Sequence, residues 1–144
     1  MQRPVETFKL ELPYKRTLGP VIGAFFTALR DGRIVGSRTP RGRVLCPPLE
    51  YDPETGEGVS QIVDLPDTGT VQSWSWVPQP QRKHPLPRPF AFALIRIDGA
   101  DTALVHAVDA GSPKAMSAGM RVKARFAAER RGHIRDLECF VPAK

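Results

Sequence analysis

The chain has 144 residues, of which 41% are hydrophobic and 25% charged, which excludes wholesale disorder and leaves room for one ordinary core. No run approaches the roughly 18 apolar residues of a membrane span, and the first residues lack the apolar centre of a signal peptide, so we predict a cytoplasmic protein. The net charge of +6 arises in residues 81–144, where twelve Lys or Arg face six Asp or Glu, and it permits an anionic partner.

The first predicted element is an amphipathic helix of about three turns. Its apolar positions recur at helical spacing and are Val21, Ile22, Phe25, Phe26 and Leu29. Leu18-Gly19-Pro20 is typical of a helix start, and Asp31-Gly32 is typical of a stop. The two phenylalanines are expected to pack on the body of the domain or on another chain.

Two short β-prone pieces follow the helix. They are "GRIVGSR" and "GRVLCPP", and a turn at "YDPETGEG" precedes a third piece, "VSQIVDL". This pattern indicates a small knuckle of hairpins that cannot bury much apolar surface and needs a metal, a disulfide or a neighbour for support. Because Cys46 and Cys139 lie far apart in a chain without an export signal, we expect reduced thiols.

From residue 69 onward the pattern predicts strands. In "GTVQSWSWV" strict alternation would place Gln72, Trp74 and Trp76 on one face, and Val71, Ser73, Ser75 and Val77 on the other. A proline-rich linker, 78–89, separates this strand from an antiparallel pair at 90–98 and 102–110. Two more strands flank a turn at Arg131-Gly132, and the first of them, "MRVKARF", alternates. Its apolar side chains are Met120, Val122, Ala124 and Phe126, and its basic ones are Arg121, Lys123 and Arg125.

Five strands with one long connection and a closing hairpin fit a Greek-key barrel of the oligonucleotide/oligosaccharide-binding (OB) type. A generic β-sandwich fits the same pattern. We therefore predict a mainly β protein, with an N-terminal helix and a knuckle in residues 1–66 and an OB-fold barrel in residues 67–144.

The sequence offers no catalytic motif. His106 lies on an apolar strand and is predicted to be a core histidine, while His84 and His133 are predicted to be exposed. Asp98 and Asp101 bracket a turn and are expected to accept hydrogen bonds from turn amides. We predict no catalytic residue in this chain.

The basic residues allow two kinds of anion binding. Trp74 and Trp76 beside the stripe Arg121, Lys123 and Arg125 could bind single-stranded nucleic acid, although aromatic alternation more often marks a core or a protein interface. Arg82, Lys83, His84 and Arg88 occupy a loop that prolines hold extended, and they could contact the phosphates of a nucleotide-derived cofactor such as coenzyme A (CoA). A simply solvated loop fits the same residues.

The order of these elements resembles a known family. Its motifs here, between about Pro13 and Pro142, are "PY", "LGP", "FFTALRDGRIVGSR", "GRVLCPP", "GTVQSWSWV", "PFAFALIRIDGADTALVHAVDA", "GMRVKARF" and "CFVP". This ordered set is similar to the family labelled domain of unknown function 35 (DUF35). The resemblance implies a rubredoxin-like zinc ribbon joined to an OB fold, and a role as an acyl-CoA-associated partner of thiolase-fold enzymes.

The zinc ligands of that family are missing. The family's ribbon reads Cys-x-x-Cys-Gly-Arg-Val, then Pro-Pro, then Cys-x-x-Cys-Gly. Laid on this frame, the four thiolate positions hold Arg38, Arg41, Asp52 and Thr55. Zinc needs four soft or borderline ligands, so we expect no metal. We expect instead that Arg38 or Arg41 faces Asp52 in a charge-assisted hydrogen bond, with a partner chain supporting the knuckle.

By resemblance, the chain is most similar to bacterial proteins that accompany lipid-transfer-protein-like aldolases in retro-aldol removal of steroid side chains as CoA esters. The resemblance implies a non-catalytic subunit in a heterotetramer built on a partner dimer, with no tightly bound cofactor and an acyl-CoA substrate shared with the partner. The residues expected at that interface are Phe25, Phe26, Trp74 and Trp76. Alternatives are a subunit of another thiolase or acyltransferase, and a stand-alone module that binds single-stranded nucleic acid.

Overall fold

A computed structural model describes residues 2–59 and 61–143. Within these residues the helix α1 is Gly19–Arg30, and two short 3-10 turns are Pro113–Ala115 and Ile134–Asp136. The strands are β1 Ile34–Arg38, β2 Val44–Leu45, β3 Gln61–Leu65, β4 Thr68–Val77, β5 Phe90–Ile97, β6 Leu104–Val108, β7 Arg121–Phe126 and β8 Leu137–Pro142.

The last five strands form a closed barrel in the order β4-β5-β6-β8-β7. Neighbouring strands are antiparallel except β6 and β8, which run parallel through the pair Val108 and Phe140. Closure through β4 and β7 together with one parallel pair is the Greek-key arrangement of an OB fold, so the barrel prediction is confirmed over the sandwich.

A β-bulge in β4 changes the predicted faces of that strand. The register against β5 shifts between Val71 and Ser73, because two residues of β4 oppose one residue of β5 there. Beyond the bulge, inward and outward positions exchange, so Val71 and Trp76 both pack against the same core. The prediction that Trp76 lies opposite Val71 was therefore wrong.

The knuckle is a three-stranded sheet, β2-β1-β3, with two tight turns. In one turn the amide of Thr39 donates to the carbonyl of Arg43 at 2.8 Å, and in the other the amide of Asp52 donates to the carbonyl of Glu57 at 2.8 Å. Gly42 and Gly56 have positive φ values of 89° and 75°, which other residues rarely adopt. The predicted knuckle of hairpins is therefore present, and backbone hydrogen bonds close both of its turns.

The helix, the knuckle and the barrel share one hydrophobic core. Phe25 and Leu29 of α1 and Ile34 of β1 belong to the same buried cluster as Ile97 and Val122 of the barrel. The buried positions of α1 follow the helical period and are Val21, Phe25, Ala28 and Leu29. The support that the knuckle lacks on its own is thus supplied by the barrel of the same chain.

Hydrogen bonds from the β5–β6 hairpin also hold β2. The Val44 amide donates to Asp101 Oδ2 at 2.9 Å, and the Asp101 amide donates to the Val44 carbonyl at 2.8 Å. The Cys46 amide donates to Thr102 Oγ1 at 2.9 Å, and that hydroxyl donates to the Cys46 carbonyl at 3.2 Å. We call this set the β2 clamp.

The aspartates at this hairpin do not bind turn amides as predicted. Asp101 bonds to the knuckle, 57 residues away along the chain. Asp98 accepts a hydrogen bond from the Thr68 hydroxyl at 2.6 Å and pairs with Arg121 at 2.5 Å. The Arg121 guanidinium, with the Thr68 hydroxyl, lowers the pKa of Asp98 to about 2.

We expect Thr102→Val to lower the free energy of unfolding by about 1–3 kcal/mol, because the fully buried Cys46 amide loses its acceptor. Chemical denaturation at pH 7 measures this loss. Thr55→Val is the matched control: it removes an exposed hydroxyl that accepts from the Glu57 amide, and we expect a loss of under about 0.5 kcal/mol. Equal losses in the two variants would contradict a special role for the β2 clamp.

Candidate binding groove

A groove of about 390 Å³ lies on the β5–β6 side of the barrel, between the loop 78–89 and the loop 127–136. Its lining residues are Lys83, Pro85, Phe92, Val105, His106, Ala107, Ala127, Ile134, Arg135, Leu137 and Glu138. Most of this lining is apolar. OB folds bind their ligands on this face and between these two loops, so the groove is the candidate site.

The polar groups of the groove are two cations, one buried histidine and Glu138, whose charge is paired with Arg125 at 2.8 Å. Lys83 and Arg135 are exposed and reach it from the two opposite loops. His106 is buried, and desolvation lowers its pKa to about 4, although hydrogen bonds with the backbone of Ala107 and Leu137 oppose the shift. The histidine is therefore neutral at pH 7. An apolar groove with cations from both loops suits an amphipathic anion.

A network of ion pairs fixes the loop 78–89 to the barrel. Arg88 binds Asp109 at the end of β6, and Asp109 also accepts from Arg125 at 3.0 Å. Arg125 in turn binds Glu138 at 2.8 Å. The hydrogen bond from Arg88 is the main reason that the pKa of Asp109 lies below its ordinary value. The network ties the loop to three strands.

The opposite loop is fixed by a buried carboxylate. Asp136 accepts hydrogen bonds from the amides of Arg131, Gly132 and His133 at 3.1, 2.6 and 3.0 Å. Burial alone would raise the pKa of Asp136, but these three bonds outweigh it and hold that pKa below its ordinary value. The His133 side chain accepts from the Arg135 amide at 3.1 Å. Arg135 therefore reaches the groove from a short turn that hydrogen bonds hold in place.

The structure separates the four residues predicted to contact CoA phosphates. Lys83 alone among them lines the groove. His84 packs edge-on against the rings of Phe90 and Phe92, with centroids 5.7 and 5.8 Å apart, and is half-buried instead of exposed. Arg88 forms an ion pair with Asp109, and Arg82 is exposed and does not line the groove.

Sequence reasoning missed most of the groove. Arg135 and Ile134 lie in the closing turn, and Phe92 and Val105 lie on the outward face of the hairpin. The sequence signal for the second pair was an apolar residue at an outward position of an alternating strand. The closing turn carries a basic cluster, "RRGHIRD", in which only His133 was predicted to be exposed.

The basic stripe of β7 is largely neutralised. Arg121 pairs with Asp98, and Arg125 pairs with Asp109 and Glu138, which leaves Lys123 of the three without an ion pair inside the described chain. A stripe with these internal partners offers little charge to a nucleic-acid backbone. The geometry therefore disfavours the nucleic-acid alternative.

The four aromatic residues predicted at an interface differ in exposure. Phe25 is 3% exposed and lies in the core of this chain, so it cannot present its ring to a partner. Phe26 and Trp76 are half-buried and pack against the same core. Trp74, at 36% exposure, is the most accessible of the four.

The four positions that correspond to zinc ligands include one carboxylate, Asp52, and no thiolate or imidazole. Arg38, Arg41 and Thr55 are exposed and Asp52 is buried, and guanidinium groups do not ligate zinc. The predicted bond from Arg38 or Arg41 to Asp52 was also wrong, since Arg41 lies 3.4 Å from Glu57. The cation beside Asp52 is Arg43, whose Nη1 lies 3.9 Å from Asp52 Oδ1 and 3.1 Å from Glu54 Oε1.

Asp52 instead shapes its own turn. Its Oδ1 accepts from the Glu54 amide at 2.9 Å, while Oδ2 is buried without a hydrogen-bond partner in the described chain. Residues 2–59 and 61–143 contain no cluster of three or more His, Cys, Asp or Glu side chains that could hold a metal. In the same ranges, no helix is long and apolar enough to cross a membrane.

The topology and the groove define an OB-fold barrel with a ligand-sized cleft at the usual position. More particularly, residues 62–127 match the family model described as the C-terminal OB-fold domain of ChsH2. Among curated proteins, none matches this sequence significantly.

Two solved structures share the fold beyond the barrel. One is a DUF35-family protein of unknown function from Sulfolobus solfataricus, with a TM-score of 0.60 and 23% identity over 74% of this chain and 78% of that one. The other is the Ltp2–ChsH2(DUF35) aldolase, with a TM-score of 0.65 and 21% identity over 90% of this chain and 100% of that one. The predicted resemblance to DUF35 is thereby confirmed at the level of the fold.

Burial of His106 predicts a pH-dependent stability. The folded protein holds this pKa near 4, below the unfolded value of about 6.5, so the unfolded state binds more protons between these values. Stability is therefore lost as the pH falls from about 6.5 towards 4. From pH 7 to pH 4.5, this one group should remove about 2–3 kcal/mol from the free energy of unfolding.

Denaturant titrations of the wild type and of His106→Gln at both pH values check this prediction. Carboxylates contribute equally to both proteins, so the difference between the two pH slopes isolates the histidine. We expect the variant to lose about 2–3 kcal/mol less than the wild type over this interval. Parallel slopes would show that His106 titrates normally in the fold.

Proposed function

We propose that this chain is a non-catalytic accessory subunit of a heteromeric aldolase that acts on acyl-CoA thioesters. The observation that carries the proposal is the match of residues 62–127 to the C-terminal OB-fold domain of ChsH2. The likeness to the Ltp2–ChsH2(DUF35) aldolase, which spans the whole of that chain, supports it. We further propose that the complex forms in the cytoplasm.

The proposed partner is a thiolase-fold, lipid-transfer-protein-like aldolase subunit, and the proposed assembly is a heterotetramer built on a dimer of that partner. The proposed reaction is retro-aldol cleavage of a steroid side chain carried as a CoA ester. The groove supports this division of labour. It holds a buried histidine that is neutral at pH 7, two cations, and Glu138, whose carboxylate is bound to Arg125 at 2.8 Å.

In this proposal, the groove contributes binding and orientation. The apolar surface around Phe92, Ile134 and Leu137 would cover part of an acyl chain, and Lys83 and Arg135 would face an anionic group of the substrate. The nucleophile or base would belong to the partner. Removing the subunit should therefore abolish productive binding without removing the reacting groups.

Co-expression with the thiolase-like subunit encoded by a neighbouring gene tests the proposal. We expect the two proteins to co-purify as a complex of fixed stoichiometry and to release a ketone or an aldehyde from a β-hydroxyacyl-CoA ester. The partner alone should be at least tenfold less active. Thiolysis or acyl transfer in place of retro-aldol cleavage would favour the alternative of another thiolase or acyltransferase complex, and a failure to co-purify would contradict the accessory role.

The double variant Lys83→Ala/Arg135→Ala tests the groove within that complex. We expect KM for the acyl-CoA to rise by about tenfold, since each lost charge contact to a partly exposed anion is worth about 0.5–1 kcal/mol. The rate constant kcat should change little. Arg82→Ala is the matched control, because Arg82 is a cation of the same loop outside the groove lining. An unchanged KM in the double variant would remove the groove from the substrate path.

A further inference from the structure

The segment that precedes α1 carries an unused amphipathic strand pattern. Its apolar side chains alternate with polar ones, and each is exposed. They are Phe8 at 86%, Leu10 at 72%, Leu12 at 75% and Tyr14 at 74% exposure. The polar side has its own ion pair, Lys9 to Glu11, at 2.6 Å. A period of two is the pattern of a strand with one buried face.

This segment has no role within the described fold. Among residues 2–59 and 61–143, no hydrogen bond or ion pair joins residues 2–17 to the rest of the chain. The four apolar side chains also lie outside both hydrophobic clusters. Exposed rows of large apolar side chains are costly for a solitary protein and mark interaction sites.

We propose that residues 8–14 dock as an extended strand on an exposed sheet edge of the aldolase subunit, an inference that rests on the proposed function. Side chains of this size bury on the order of 150 Å² each, so four supply roughly 600 Å², most of the roughly 800 Å² that one side of a standard interface needs. Main-chain hydrogen bonds from every second residue would add affinity, and the even-numbered residues suit this pairing because Pro13, an odd-numbered residue, has no amide hydrogen.

A second copy of this chain is a poor host for the strand. The barrel is closed, so its strands have no free edge. The described part of the knuckle sheet has two edge strands. β2 has two residues and is held by the β2 clamp, and β3 has five residues. An alternating segment of seven residues needs a longer template, which favours a foreign edge.

The experiment measures how tightly the wild-type chain and two variants bind the aldolase subunit that co-purifies with the wild type. The test variant is Phe8→Ser/Leu10→Ser/Leu12→Ser, and the matched control is Lys9→Ser/Glu11→Ser, which changes the other face of the same segment. Since these residues make no contact with the fold, both variants should keep the Tm of the wild type. We expect the test variant to bind at least tenfold more weakly and the control to bind like the wild type.

Hydrogen exchange provides a second readout, because strand addition protects amides and loose apolar contact does not. Alternate amides between residues 8 and 12 should exchange slowly in the wild-type complex, and all of them should exchange quickly in the isolated chain. Unchanged affinity in the test variant, or fast exchange in the complex, overturns the strand while the wild-type complex still upholds the aldolase role. A wild-type chain that dimerises through these residues would assign them to a second copy. Absence of any wild-type complex overturns both proposals.

Discussion

The β2 clamp is the interaction on which the arrangement of this protein depends. A knuckle of two tight turns cannot fold on its own apolar surface, and the four positions that correspond to thiolates hold two arginines, an aspartate and a threonine. Asp101 and Thr102 instead satisfy the amides of Val44 and Cys46 from the adjacent hairpin. The knuckle is therefore joined to the barrel by hydrogen bonds and a common core.

The two loops of the groove are also held in place by polar contacts. Its floor is the outer face of the β5–β6 hairpin, and each of its two loops is held by a carboxylate: Asp109 binds Arg88, and Asp136 collects the amides of the closing turn. Binding groups on ordered loops lose less freedom when a ligand arrives. The fold thus presents Lys83 and Arg135 on either side of an apolar floor, in a protein whose proposed chemistry belongs to its partner.

Local patterns in the sequence predicted the order of the elements, because helical and strand periods are properties of short segments. They did not predict the bulge after Val71, which depends on pairing with β5, and so they placed Trp76 on the wrong face. The bond from Asp101 to Val44 spans 57 residues, and a local pattern carries no sign of it. The groove was only partly predictable for the same reason. Lys83 and Arg135 line the same groove because the barrel closes, not because they are near each other in the sequence.

We infer that the barrel, and not a metal, holds the knuckle in place. Metal analysis of the purified protein combined with thermal unfolding in the presence and absence of a strong chelator tests it most directly. The account predicts less than stoichiometric zinc and a single cooperative transition whose Tm the chelator does not change. One zinc per chain, with a chelator-induced fall in Tm or a separate early transition of the ribbon, would contradict it.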